Sequence, residues 1–410
     1  MLIVQKFGGS SVADVTRIYN VADRIAATYR EGHKLVVVVS AQGDTTDDLI
    51  AKAHEITDRP SRREMDMLLA TGEQQSVALL AMALQSRGLP AVSLTGWQSG
   101  ILTTSAHQNA RVKKIDPQRL QNELERNNIV VVAGFQGYNK SDDVTTLGRG
   151  GSDTTAVALA ASLSAELCEI YTDVDGVYTA DPRIVATARK LDEISYDEML
   201  EMAALGAKVL HSRSVELAKK YNVNLVVRSS LTDAPGTSVK EVQTVENVMV
   251  SGITADKNIA RVTLVGVKDE PGMAYRIFSL LSKRSIAVDI IIQSMGIVGV
   301  AGTKDIMFTV DRSVKREVLD ILQENKNVIK FDNISSDDSV CKLSIVGAGM
   351  GSATGVATMM FETLSELGVN IGAISSSEIK ISVLVEEKDA DRAANALHEA
   401  FIDTNSRFKA

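Results

Sequence analysis

Lys6-Phe7-Gly8-Gly9-Ser10 follows a short apolar strand and precedes a helix. Such a turn aims backbone N–H groups and a helix N-terminus at an anion, and Lys6 adds a mobile positive charge. An ordinary strand–helix turn would look the same, and the usual phosphate-loop run Gly-Lys-Ser/Thr is absent. A second cluster, Gly148-Arg149-Gly150-Gly151-Ser152-Asp153-Thr154-Thr155, also precedes a helix. Arg149 suits bidentate binding of a carboxylate or phosphate, and two successive glycines let the backbone approach a ligand. One of Ser152, Asp153 and Thr154 is expected to cap the helix, but capping leaves Arg149 between glycines unexplained. A third run, Tyr171-Thr172-Asp173-Val174-Asp175-Gly176-Val177-Tyr178, is followed by Asp181-Pro182-Arg183. It reads as a turn rich in Asp and Gly, or as a place where Asp173 approaches a metal–nucleotide. A fourth, Ser40-Ala41-Gln42-Gly43-Asp44-Thr45-Thr46, offers hydroxyls to a small substrate or forms a plain turn. Glu73, beside Gly72 in a helical segment, would ordinarily be solvated. Lys208 is read as opening a helix, where a cation opposes the helix dipole and so points to an anionic ligand. Each signal is weak alone, but all lie beside strand–helix junctions of one sheet. Two lysines, an arginine, glycine turns and acidic groups form the set that phosphoryl transfer needs, because its catalysis is positioning plus charge neutralisation.

The elements that must position these residues fall into two halves. Up to about residue 235, strands and helices alternate. Strands are expected at 2–4, 35–39, 129–132, 167–172 and 225–228. Helices are expected at 12–30, 62–87 (interrupted at Thr71-Gly72), 154–163, 195–203 and 208–220. Repeated βα units imply a mainly parallel sheet covered on both faces, a three-layer αβα sandwich, with ligands at the carboxyl ends of its strands. Asp233-Ala234-Pro235-Gly236-Thr237 is a strong turn signal. After it, 260–334 reads as one βαββαβ unit, and 342–401 repeats that order without a last strand. The spare strand 248–254 is inferred to complete the second unit. The expected domains are therefore 1–240, 260–335, and 248–256 with 340–410.

A chain of 410 residues implies two or three domains. Apolar residues make up 45% and charged residues 23%, so disorder is not indicated. With 44 basic and 52 acidic residues the net charge is −8, which argues against nucleic acid as a partner. Cys168 and Cys341 sit far apart in apolar runs and read as buried thiols. The histidines, including His33, His54, His107 and His211, show no metal-ligand spacing. No leader segment and no membrane span is expected, which makes the default a cytoplasmic protein.

The runs Lys-Phe-Gly-Gly-Ser-Ser at 6–11, Gly-Arg-Gly-Gly-Ser-Asp at 148–153 and Tyr-Thr-Asp-Val-Asp-Gly-Val-Tyr-Thr-Ala-Asp-Pro-Arg at 171–183 closely resemble the aspartate kinase family. The match covers nearly the whole chain, and the tandem βαββαβ units resemble the family's paired regulatory ACT domains. The resemblance implies ATP and L-aspartate as substrates. Lys6, the Phe7–Gly9 turn with its Gly8 and Gly9 amides, Thr172, Asp173, Tyr178, Arg183 and Lys208 would hold the nucleotide. Arg149 would take the substrate α-carboxylate, Glu73 and Asp153 its ammonium, and Ser40, Thr46 and Ser152 would lie near the β-carboxylate. Lys6, Asp153 and Lys208 are the implied catalytic groups. Mg²⁺ would ride on the nucleotide phosphates rather than on a protein ligand set. Asp269, Gly272, Met273, Ala274 and Gln293, faced by Asn370 and Ile371, resemble a pocket for a lysine or threonine effector at a subunit interface. A homo-oligomer joined through the ACT domains is implied, and Met249 is a candidate start for a separate regulatory chain. Gln42 departs from the family, whose relatives often place an apolar residue there.

Three other readings compete. Val346-Gly347-Ala348-Gly349-Met350-Gly351 looks like a dinucleotide turn, but only about 60 residues follow it and Asn370 to Ser377 supplies no acidic partner. A pure amino-acid sensor would not need Lys6, Arg149, Asp153, Asp173 and Lys208 together. A glutamate or acetylglutamate kinase fits the tandem regulatory pair and the 171–183 run less well.

Overall fold

The computed structural model describes residues 1–205, 209–241, 249–294, 302–348, 350 and 355–404. By internal contacts the chain forms two units, 1–178 with 189–245, and 179–188 with 246–410.

In the first unit the apolar run after Met1 becomes β1 (Leu2–Phe7), followed by α1 (Val15–Arg30), β2 (Lys34–Val39), α2 (Thr45–Ile56), α3 (Arg62–Gln85) and β3 (Ala91–Leu94). Then come β4 (Ile101–Thr103), β5 (Val112–Ile115), α4 (Gln118–Glu125), β6 (Ile129–Ala133), β7 (Gln136–Tyr138), β8 (Val144–Thr146), α5 (Gly151–Leu163) and β9 (Leu167–Thr172). The unit closes with β10 (Glu193–Ser195), α6 (Tyr196–Ala204), α7 (Ser212–Tyr221), β11 (Leu225–Ser229) and β12 (Thr237–Lys240). Eight strands form one sheet in the order β10-β12-β11-β9-β1-β2-β6-β3, antiparallel only between β11 and β12. The continuous Val runs of β2 and β6 are buried on both faces, as a covered parallel sheet requires. Ile3, Phe7, Val37 and Val131 pack under α1 and α3. This is the expected α/β sandwich.

Several local readings change. Helix α3 runs unbroken through Gly72, because a Cβ there would come within 2.8 Å of the Ala41 side chain: the glycine admits a neighbouring loop rather than ending the helix. It is long and apolar enough by composition to span a membrane, yet it carries Asp66 and Glu73 on a stripe buried inside this unit. Helix α5 begins at Gly151, three residues early, with Gly150 at its N-cap and no capping side chain; Ser152, Asp153 and Thr154 are in its first turn. Helix α7 begins at Ser212 with His211 as its cap, not at 208, so the dipole argument for Lys208 falls away; Lys208 lies outside the described residues. The small sheet β5-β4-β7-β8 was not foreseen.

The second unit holds β13 (Met249–Asp256), β14 (Ile259–Lys268), α8 (Met273–Lys283), β15 (Ile291–Gln293), β16 (Thr303–Asp311), α9 (Lys315–Glu324), α10 (Lys326–Ile329) and β17 (Asn333–Asp337). It continues with β18 (Val340–Ala348), α11 (Val356–Glu366), β19 (Ala373–Ser376), β20 (Lys380–Glu386) and α12 (Ala390–His398). Two antiparallel sheets result, β15-β16-β14-β17 and β13-β18-β20-β19. Within the first βαββαβ unit the strand after α8 is only three residues long, Ile291–Gln293. Each sheet has its own apolar core, and Ile259, Ile290, Val340, Ala373 and Leu384 pack together between them. Residues 179–188 belong to this unit: Ala180 and Val185 sit in the core with Ile253, Leu397 and Phe401. His398, fully buried, bonds Thr179 Oγ1 through Nε2 at 2.8 Å and Thr187 Oγ1 and Asp403 through Nδ1 at 3.2 Å.

Candidate active site

Strand β1 delivers Lys6 to the carboxyl edge of the large sheet. Its ammonium stands 2.7 Å from Asp153 Oδ1 in the first turn of α5, with both side chains about nine-tenths shielded. That oxygen has no aligned hydrogen-bond donor, so the pair is a charge contact from which Lys6 can turn to another anion. The 8–12 turn is tied to the 40–46 loop, since Gly43 N–H donates to the Gly9 carbonyl (3.1 Å) and Ser40 N–H to that of Phe7. The Phe7 ring stacks on Tyr171 at 4.6 Å inside the core, leaving only its backbone for a ligand.

From α3, Glu73 reaches the same edge. It is 3% exposed, and one oxygen accepts from Ala41 N–H at 3.1 Å while the other is buried with no partner. Burial pushes its carboxyl up to about 8, against the pull of the Glu73 and Ala41 backbone N–H groups. The reading of a solvated carboxylate is therefore replaced by a buried acid with one oxygen bonded and the other without a donor. Ser40 and Thr46 are half-buried in the 40–46 loop that carries Ala41, and Gln42 donates to the Val12 carbonyl at 2.8 Å.

Arg149 is exposed and makes no ion pair or hydrogen bond among the described residues. Gly150 beside it has φ +67, and a Cβ there would lie 2.3 Å from His211, so only glycine fits. Ser152 is buried, its Oγ 2.6 Å from where a Gly134 Cβ would point.

On the neighbouring strand, Gly8 N–H donates to the Tyr171 carbonyl and Ser230 N–H to that of Thr172, which places Thr172 and the exposed Asp173 alongside the Lys6 turn. Thr172 Oγ1 donates to Asp173 (2.9 Å) and Tyr178 OH to Asp175 (2.8 Å); the latter bond raises the Tyr178 hydroxyl above its ordinary pKa. Arg183 lies in the 179–188 segment of the second unit, exposed and paired with Asp181 at 2.7 Å.

In the second unit, Asp269, Gly272, Met273, Ala274 and Gln293 surround one cavity of about 170 Å³, with Lys304 held 3.0 Å from Asp269. Asn370 (exposed) and Ile371 (half-buried) do not line it. A larger cavity of about 570 Å³ in the first unit is lined by none of the predicted residues. Its charges are matched internally, Arg228 with Glu169 at 2.7 Å and Arg24 with Asp233 at 2.9 Å.

A lysine, an exposed arginine, first-turn amides and a buried acid at one sheet edge can orient a small zwitterion against a polyphosphate. Fold and site define an amino-acid kinase with paired ACT modules. The amino acid kinase family model matches residues 1–229, and an ACT domain model matches 262–325 and 343–401. The chain belongs to the aspartokinase family and is an aspartate kinase. It is 51% identical over 404 residues to the aspartokinase of Mycolicibacterium smegmatis (98% of this chain, 96% of that protein). It is 52% identical over 405 residues to that of Corynebacterium glutamicum, with the same coverage. The crystal structure of Escherichia coli aspartokinase III in complex with aspartate and ADP superposes with TM-score 0.82 at 26% identity, covering 98% of this chain and 99% of that one.

Proposed function

We propose that the reaction is transfer of the ATP γ-phosphoryl group to the β-carboxylate of L-aspartate, giving 4-phospho-L-aspartate and ADP, the first step towards lysine, threonine, methionine and isoleucine. The observation that carries this reading is the contact chain from buried, half-partnered Glu73 through the 41–43 loop and the Gly9 turn to Lys6 and Asp153, with Arg149, unpartnered among the described residues, just before the N-cap of the same helix. Arg149 takes the α-carboxylate, and Glu73 and Asp153 take the ammonium. Ser40, Thr46 and Ser152 border the reacting carboxylate. Lys6 and the Gly8 and Gly9 amides hold the polyphosphate, with Thr172, Asp173, Tyr178 and Lys208 on the nucleotide side. A β-carboxylate oxygen attacks the γ-phosphorus as the bond to the ADP oxygen breaks. It is ionised at pH 7, so no base is required, and the site's task is alignment and neutralisation. Mg²⁺ held on the phosphates would offset charge there, and Asp173, exposed beyond β9, is the carboxylate placed to meet it. The direct test is ATP-dependent aspartyl hydroxamate formation with glutamate in parallel; no hydroxamate from aspartate would sink the assignment.

The Asp269–Gln293 cavity is proposed to bind a lysine or threonine effector, with Asn370 and Ile371 supplied from a facing subunit of a cytoplasmic homo-oligomer. A related crystal structure, E. coli aspartokinase III, is described as a complex with lysine and aspartate in a T-state (25% identity, TM-score 0.76). Aspartate saturation curves with each amino acid, alone and together, test this; unchanged curves refute it for those ligands.

A further inference from the structure

Asp66 lies seven residues before Glu73, two turns earlier on the same buried stripe of α3. It is fully buried, and among the described residues neither Lys6 nor Arg149 bonds it. Its oxygens are instead occupied by three donors from the small sheet and its loop. Thr146 Oγ1 donates to Oδ1 at 2.6 Å, His107 Nδ1 lies 2.8 Å from Oδ2, and Gln108 N–H reaches both, at 3.0 and 3.2 Å. These hydrogen bonds to one buried carboxyl tie that loop to α3.

What the loop holds is the Arg149 turn. Thr146 is three residues from Arg149. The Gln108 carbonyl lies 2.9 Å from where a Gly148 Cβ would project, and Gly148 has φ +79, so the loop is pressed against the backbone that enters Arg149. Ala110 N–H donates to the Thr146 carbonyl at 2.9 Å, and the Arg213 guanidinium clamps the Leu147 and Ala110 carbonyls, both at 2.7 Å. Among the described residues these bonds reach no further than residue 147, and Arg149 makes none.

We infer that Asp66 is a positioning residue for the amino-acid substrate, acting through the Thr146–Gly148 backbone to set the direction of Arg149. Helix α3 then locates both ends of the substrate, its ammonium directly through Glu73 and its α-carboxylate indirectly through Asp66. The inference rests on the reading of Arg149 given above. Asp66→Ala is expected to raise the aspartate KM at least about tenfold while the ATP KM and kcat stay within about threefold. Asp66→Asn keeps an acceptor for Thr146 and Gln108 and should recover most of that loss. Arg149→Ala and the double variant complete a cycle: if Asp66 acts through Arg149, the double variant has no higher aspartate KM than Arg149→Ala alone. An unchanged KM in Arg149→Ala removes the underlying reading. An Arg149 effect combined with an unchanged KM in Asp66→Ala, or with additive losses, overturns the Asp66 inference alone. If Asp66→Ala does not fold, Thr146→Val removes one donor at constant shape. A raised aspartate KM with an unaltered unfolding midpoint supports the inference, and a lowered midpoint with an unaltered KM overturns it.

Discussion

Aspartate binding should expel a proton from Glu73. In the free protein that carboxyl is buried, one oxygen lacks a partner, and its pKa stands at about 8. At pH 7 roughly 90% of molecules therefore carry the proton, and at pH 8.5 roughly a quarter do. An ammonium docking on the open oxygen favours the charged form and draws the pKa below neutrality. Titration calorimetry in buffers of different ionisation enthalpy reads the proton count directly. The expectation is about 0.9 proton released per aspartate at pH 7, falling to about 0.2 or 0.3 at pH 8.5. Glu73→Gln retains the acceptor for Ala41 N–H but cannot ionise, so its count should be near zero and its aspartate affinity much lower. A wild-type count near zero at pH 7, or an equal count in Glu73→Gln, would refute the assignment of the ammonium to this carboxyl.

Further outcomes follow from the same geometry. The raised Glu73 pKa contributes stability that is present below about pH 4.5 and lost as pH rises to about 8; at about 1.4 kcal/mol per pKa unit the loss approaches 5 kcal/mol. Glu73→Gln should thus match the wild type in urea unfolding near pH 5 and exceed it at pH 8.5, and parallel curves would contradict the burial. Lys6→Ala should nearly abolish turnover while leaving circular dichroism unchanged, because Lys6 neutralises phosphate rather than supporting the sheet; retained turnover counts against the clamp. His398→Ala should cost about 2–4 kcal/mol through a cavity and three lost bonds, seen as a lower unfolding midpoint and faster proteolysis within 179–188.

Alternating apolar runs made the large sheet legible, because a covered parallel strand must be apolar on both faces and Val36–Val39 and Val130–Val132 are. The small sheet was hidden. Its strands are three or four residues long, Val112–Ile115 contains two lysines, and pairs such as Leu102 with Tyr138 come from distant sequence. Lys6, Arg149 and Asp153 could be singled out because glycine turns punctuate them. Asp66 gave no such sign. An acid within a helix reads as solvated, and what buries it is a loop forty residues away folding back onto α3. The same blindness applied to Glu73, whose chemistry depends on Ala41 closing over it. Only its place two turns after Asp66, between Leu69 and Val77, hinted at burial.

The ten residues from Thr179 to Ala188 have a practical consequence for anyone recombining these proteins. They are encoded within the catalytic half but fill the core built by β13, β18, β20 and α12. A chimera joined once, near residue 245, would place a foreign module against native Ala180, Val185 and the two threonines that grip His398. A graft that also exchanges 179–188 keeps those contacts matched, so the transferable regulatory cassette is discontinuous and needs three junctions rather than one.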